Sequence, residues 1–168
     1  MKILKRVAFA IATLLLIGGF SGFIYFKNKF LTAPENTLSL SNLGEPFPFI
    51  WSGEKINGTH EPHGAMLIPV SIPDVDRMFY MQFDTGAPST VFTFNKIVSI
   101  NERYGNIFRI DTVDNKLKVS EIRLTAGTVN LEASSLSFRG RGSKIDWENT
   151  NSSIIIGTIG ADFIERNK

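Results

Sequence analysis

Met78 to Phe92 reads MFYMQFDTGAPSTVF. Its first part, Met78–Phe83, is apolar and aromatic, the composition that favours a pleated, buried strand. At Asp84 the character changes: an acid follows the apolar run at once, and Thr85 and Gly86 come next. A carboxylate beside an apolar interior is costly unless it is paired or hydrogen-bonded. An acid at the end of such a run is therefore a candidate functional group. Gly86 allows a sharp turn that carries a backbone N–H toward the carboxylate. The plainer reading is an acid that caps a turn after a strand, with Thr85 and Gly86 as ordinary turn residues.

Upstream, MLIPVSI (66–72) and MFYMQF (78–83) flank PDVDR, which predicts a hairpin that delivers Asp84 at its exit. Downstream, STVFTF (89–94) is rich in strand formers. IFRIDTVDNKLKV (107–119) has Asp114-Asn115 as its predicted tip, and KVSEIRL, TVNLEASSLSF and SIIIGTIGADFI follow. FRGRGSKIDWENTN (138–151) reads as an exposed loop. Short strands at regular intervals, with no long helical period before the last few residues, predict an all-β barrel or sandwich.

The chain has 168 residues, enough for one domain with an N-terminal anchor. Residues 1–30 carry five cations and no acid; the rest has 13 Lys and Arg against 16 Asp and Glu, a net of −3. A slightly acidic globular part argues against nucleic acid as a partner. With no cysteine, thiol catalysis, disulfides and cysteine-ligated zinc are excluded. His60 and His63 in HEPHG have metal-like spacing, but Pro62 lies between them and no third ligand is evident. No metal and no cofactor is expected.

The expected organisation is a short basic N-terminus (1–6), a transmembrane helix (7–26), a linker and docking segment (27–64) and a β-domain (65–168). Val7–Phe26 holds 20 uncharged residues, the length that crosses a hydrocarbon core of about 30 Å. An uncleaved single-pass anchor is preferred over a cleaved signal peptide, with the globular domain on the extracytoplasmic side. Gly18 and Gly22 form a GxxxG pair suited to close approach of two spans. In 27–64 the Pro, Gly and Asn residues predict irregular chain. Phe47, Phe49, Ile50 and Trp51 are too apolar for a free linker and are expected to dock onto the domain.

FDTGA after an apolar strand, with IIIGTIGADF some seventy residues later, resembles the aspartic peptidases. Ala87 and the short chain point to the retropepsin-like branch, the single-lobe, dimeric half of a pepsin-type fold. The resemblance covers about Met66 to Ile164. It implies a closed barrel of short antiparallel strands with Asp84 as the catalytic acid. It implies an active loop supported by Thr85, Gly86 and Ala87, and a core element, Ile155-Ile156-Gly157, beneath that loop. It also implies a flap within Gly105–Val119, its tip at Asp114 and Asn115. The substrate would be a peptide or protein. Members usually continue with another apolar strand, whereas this sequence stops at Asn167-Lys168, so the domain is expected to be C-terminally incomplete.

Peptide hydrolysis needs one group to take a proton from water and another to give one to the carbonyl oxygen. Two carboxylates that share a proton do both. At about 3 Å and an effective dielectric of about 20, two negative charges repel by roughly 5 kcal/mol. That keeps one protonated while the other is ionised. The chain has one Asp-Thr-Gly. Asp162 better fits the cap of a short terminal helix. Asp111, Asp114 and Asp146 lack a following Thr-Gly. The mate is therefore expected to be Asp84 of a second copy in a homodimer, or an acid on a missing second lobe. The alternative is a catalytically silent β-barrel of the same fold, serving as a binding or envelope-structural module.

Overall fold

The computed structural model describes residues 2–27, 38–43, 46, 48–149 and 152–165. The chain divides into two compact units, Met1–Pro34 and Glu35–Lys168. The first holds one helix, α1 (Lys2–Phe26). Among the described residues no helix is long and apolar enough to cross a membrane. The expected single-pass anchor and the membrane localisation are corrected on this finding. A Cβ on Gly18 or Gly22 would meet nothing within 4 Å.

The second unit begins with β1 (Leu38–Ser41), β2 (Ile50–Ile56), β3 (Thr59–Val70), β4 (Phe79–Phe83) and β5 (Val91–Phe92). Then come α2 (Phe94–Tyr104), β6 (Arg109–Val113), β7 (Lys116–Ala126), β8 (Val129–Phe138), β9 (Ile155–Ile159) and α3 (Asp162–Glu165). The strands form one sheet in the order β2-β3-β4-β9-β5-β8-β7-β6, with β1 added on β8. The expected closed antiparallel barrel is not what forms. The sheet is open, because its terminal strands β2 and β6 do not pair with each other. It is also mixed: β4 runs parallel to β9, and β5 parallel to β8. Ser71, just past β3, also bridges Thr125 of β7 through two backbone hydrogen bonds.

The all-β expectation is corrected as well. Residues 89–94 supply only a two-residue strand, after which the chain turns into α2. Ile97 and Ile100 are fully buried, and Tyr104 one turn on packs against the core. That is helical spacing. Gly105, with φ 77, ends the helix, and its N–H donates to the Asn101 carbonyl.

The segment 27–64, expected as linker and docking chain, carries β1, β2 and the start of β3. A register shift between Ser52 and Glu54 leaves Gly53 unpaired opposite 62–64, so Pro62 sits where no ladder donor is needed. Ile50 and Trp51 pair with Leu67 and Met66, and Trp51 meets His63 edge-on at 5.3 Å. Phe49, Ile50 and Trp51 nonetheless stay 40–48% exposed. Phe47 lies outside the described residues. Two tight hairpins use paired left-handed residues: Asn57 and Gly58 (φ 50 and 86), and Asp114 and Asn115 (φ 51 and 58).

The core is built from strand residues and from one face of α2. Phe79 and Met81 from β4, Phe92 from β5, Ile97 and Ile100 from α2 and Ile156 and Ile159 from β9 are wholly buried. Each such side chain contributes about 1.5–3 kcal/mol. β9 fits between β4 and β5 only because Gly157 has no side chain: a Cβ there would lie 2.3 Å from the Val91 carbonyl oxygen. Gly157→Ala is therefore expected to lower stability by about 3 kcal/mol or more in urea unfolding. Wild-type stability in that variant would contradict the placement of β9.

Candidate active site

β4 and β5 follow one another in the chain but are not neighbours in the sheet. β9 is inserted between them, parallel to β4 and antiparallel to β5. The segment from Asp84 to Thr90 must therefore cross over the end of β9. Four contacts hold that crossing. The Asp84 N–H donates to the Ile159 carbonyl (3.0 Å), and the Ala87 N–H to the Asp84 carbonyl (3.1 Å). The Ala161 N–H donates to the Ala87 carbonyl (2.8 Å). Beneath the loop, a Cβ on Gly160 would lie 2.5 Å from the Ser89 carbonyl carbon.

The fourth contact is buried. The Asp162 carboxylate, 4% exposed, accepts from the Thr90 N–H (2.8 Å) and the Thr90 hydroxyl (2.7 Å). The same hydroxyl accepts from the Gly160 N–H (3.2 Å). Asp162 stands at the first position of α3, where a cap is expected, but its carboxylate is committed to the loop across the sheet.

Asp84 itself is about one-third exposed. Its Oδ1 accepts from the Gly86 N–H at 2.9 Å. Its Oδ2 lies 3.8 Å from Nη1 of Arg139. Both ends of that ion pair reach solvent, so it is worth under about 1 kcal/mol. Asp84, Gly86, Ala87, Pro88, Ser89, Val91, Phe138 and Arg139 line a cleft of about 400 Å³. Asp84 is the only acid in that lining. Thr85 is exposed and its hydroxyl makes no hydrogen bond among the described residues.

The structure brings Asp84, Gly86 and Ala87 into one cleft, with Thr85 beside them. Ile155 and Ile156 lie on β9, and Gly157 faces Val91, Phe92 and Met81. The part of that element directly beneath the loop is Ile159–Gly160, three residues further on. Asp114 and Asn115 form the tip of the β6–β7 hairpin and do not line the cleft. Asp111 pairs with Arg109, and Asp146 accepts from the Glu148 N–H; neither reaches Asp84. Among the described residues no group of acids and histidines has the arrangement of a metal site.

Arg139 is the cleft residue that sequence reading missed. It follows β8, and its N–H donates to the Phe92 carbonyl at 2.7 Å. The parallel pairing of β5 with β8 carries it to the cleft. No signal in FRGRG marks that pairing, which joins segments far apart in the chain.

No protein-family model, no curated protein and no solved structure matches this chain.

Replacing Asp162 by Ala leaves the Thr90 N–H and hydroxyl without their buried partner. Stability should fall by about 3 kcal/mol, and the cleft carboxylate should lose its fixed position. Urea unfolding followed by tryptophan fluorescence reads the first effect. An unchanged midpoint would remove Asp162 from the support of the loop.

Proposed function

We propose that the chain supplies one half of an aspartic-type hydrolytic site. Asp84 is its reacting group and the substrate is a peptide or protein. The observation that supports it is the crossing loop: its backbone hydrogen bonds and the buried Asp162–Thr90 pair fix a single partly exposed carboxylate at the mouth of a cleft. A second carboxylate comes from Asp84 of another copy across a two-fold axis. The unpartnered Thr85 hydroxyl is available to bond across the same axis and brace the two loops.

In that dimer the ionised Asp84 takes a proton from a water held between the two acids. The water oxygen bonds to the peptide carbonyl carbon, and the protonated Asp84 gives its proton to the carbonyl oxygen. Collapse of the tetrahedral species breaks the C–N bond, with a proton passed to the leaving nitrogen. The β6–β7 hairpin, the candidate flap, is the element to close over an extended substrate.

A second reading rests on Arg139. Its contact with Asp84 supplies the carboxylate with a partner inside one protomer. A catalytically silent binding module would use the same sheet and cleft without a mate for Asp84.

Hydrolysis of a diverse peptide library from acid to neutral pH separates the two. In the peptidase reading Asp84→Asn lowers turnover by roughly 10³-fold, and the specific rate rises with protein concentration as dimers form. Arg139→Ala leaves turnover in place or raises it. Equal turnover in wild type and Asp84→Asn would remove Asp84 from the chemistry. A strict monomer with no cleavage at any pH favours the silent module.

A further inference from the structure

A second cleft lies at the opposite end of β4. Tyr80, at its start, lines this one, and Asp84, just past its exit, lines the first. The second cleft measures about 560 Å³, a volume suited to a small organic ligand. Arg77, just before β4, and Arg103, in the last turn of α2, both line it.

The two guanidinium groups share one aromatic platform. The Cζ of Arg103 lies 4.7 Å from the centre of the Trp147 ring, and that of Arg77 lies 5.5 Å from it. Trp147 meets Tyr104 edge-on at 5.9 Å, and both rings pack against the core. The platform is therefore held in place from behind. A cation over a ring face keeps its N–H donors in the guanidinium plane, where an oxyanion can take them in pairs. Neither arginine forms an ion pair with a described carboxylate. Glu102, next to Arg103, is already taken by Lys144 at 2.8 and 2.9 Å.

Two cations gathered on one ring, neither paired with a described carboxylate, repel each other unless an anion joins them. Ser152 and Ser153 line the same cleft; the Ser152 hydroxyl donates to the Asn149 carbonyl at 3.4 Å, which leaves Ser153 as the hydroxyl donor for a ligand. Asp76 also lines it, which leaves one positive charge in excess. A bare anion meets repulsion from Asp76. An anion that carries a donor beside it does not, because Asp76 accepts from that donor.

We infer that this cleft binds a small phosphomonoester bearing an ammonium or hydroxyl group. The phosphate lies on Arg77 and Arg103, and the donor lies toward Asp76. Arginine is the residue suited to such bidentate contacts. The site does not depend on the hydrolytic reading of Asp84.

The test is isothermal titration of the full chain with O-phosphoserine, inorganic phosphate and serine. O-phosphoserine should bind with a Kd of about 1 mM or tighter, ahead of inorganic phosphate, and serine should not bind. Arg77→Gln and Arg103→Lys should each weaken O-phosphoserine by about tenfold or more. Asp76→Asn should narrow its lead over inorganic phosphate. If Arg77→Gln fails to fold, Arg103→Lys carries the test, since it keeps the stem and the charge and loses only the planar fork. Asp84→Asn should bind O-phosphoserine as wild type does. No binding, equal affinity in the Arg103→Lys variant, or serine binding as well as O-phosphoserine would overturn the inference.

Discussion

The insertion of β9 between β4 and β5 is the constraint on which the rest depends. Two strands joined by a short segment usually pair directly, yet here a third strand separates them. The joining segment must climb over that strand, and little room is left beneath it. Gly157 and Gly160 supply the room: a Cβ at either would come within 2.3 to 2.5 Å of backbone atoms. Backbone on both sides of the contact leaves no flexible side chain to give way. The position of Asp84 follows from this geometry. The polar contacts of its carboxylate are one turn hydrogen bond and one solvent-screened ion pair, which are too weak to fix a loop. The buried Asp162–Thr90 pair is the stronger tie, since hydrogen bonds to a charged, desolvated acceptor are worth about 1.5–3 kcal/mol each.

This order of strengths separates two jobs that sequence inspection tends to merge. Asp162 is buried and fully occupied, and its role is to hold the loop. Asp84 is half-free and faces a cleft, so it can meet a ligand. Both are acids two residues from a glycine in apolar surroundings, and their local patterns differ little. Their difference lies in what the fold places across from each.

Much of the strand pattern was legible. Met78–Phe83 reads as a strand ending in an acid, and β4 ends at Phe83. Asp114-Asn115 reads as a hairpin tip, and both residues adopt the left-handed backbone that a two-residue turn requires. α2 was obscured by its composition: Ile97, Val98 and Ile100 are β-branched, and Phe94 extends a strand-like run. The period of Ile97, Ile100 and Tyr104, closed by Gly105, was the signal against it. β2 and the start of β3 were hidden for the opposite reason. Pro62, Gly53 and Gly64 look like loop residues, and the bulge that accommodates them is visible only once both strands are paired. Strand order was not legible at all. Neither the parallel β4–β9 pair nor the arrival of Arg139 beside Asp84 leaves a local trace, because both arise from contacts between distant segments.

Arg139 poses the sharpest electrostatic question at the cleft. Its attraction for Asp84 acts across 3.8 Å at a site open to water, where two unit charges about 4 Å apart interact by only about 1 kcal/mol. Two carboxylates brought to about 3 Å in a closed, drier cleft repel by roughly 5 kcal/mol at an effective dielectric of about 20. The carboxylate–carboxylate repulsion reaches that strength only when water is excluded, whereas the attraction to the arginine already acts in its presence. In the proposed dimer, closing the cleft around a second Asp84 would change which charge governs the carboxylate. In an open protomer the guanidinium is its charged partner. In the proposed closed pair the other carboxylate would take that place, with a shared proton to relieve the repulsion. The arginine need not be removed for this to occur, because its side chain is 67% exposed and can turn away into solvent with little loss. Under the proposed dimeric reading, a carboxylate fixed by its loop and balanced by a weak, movable cation would be dormant alone and reactive in company.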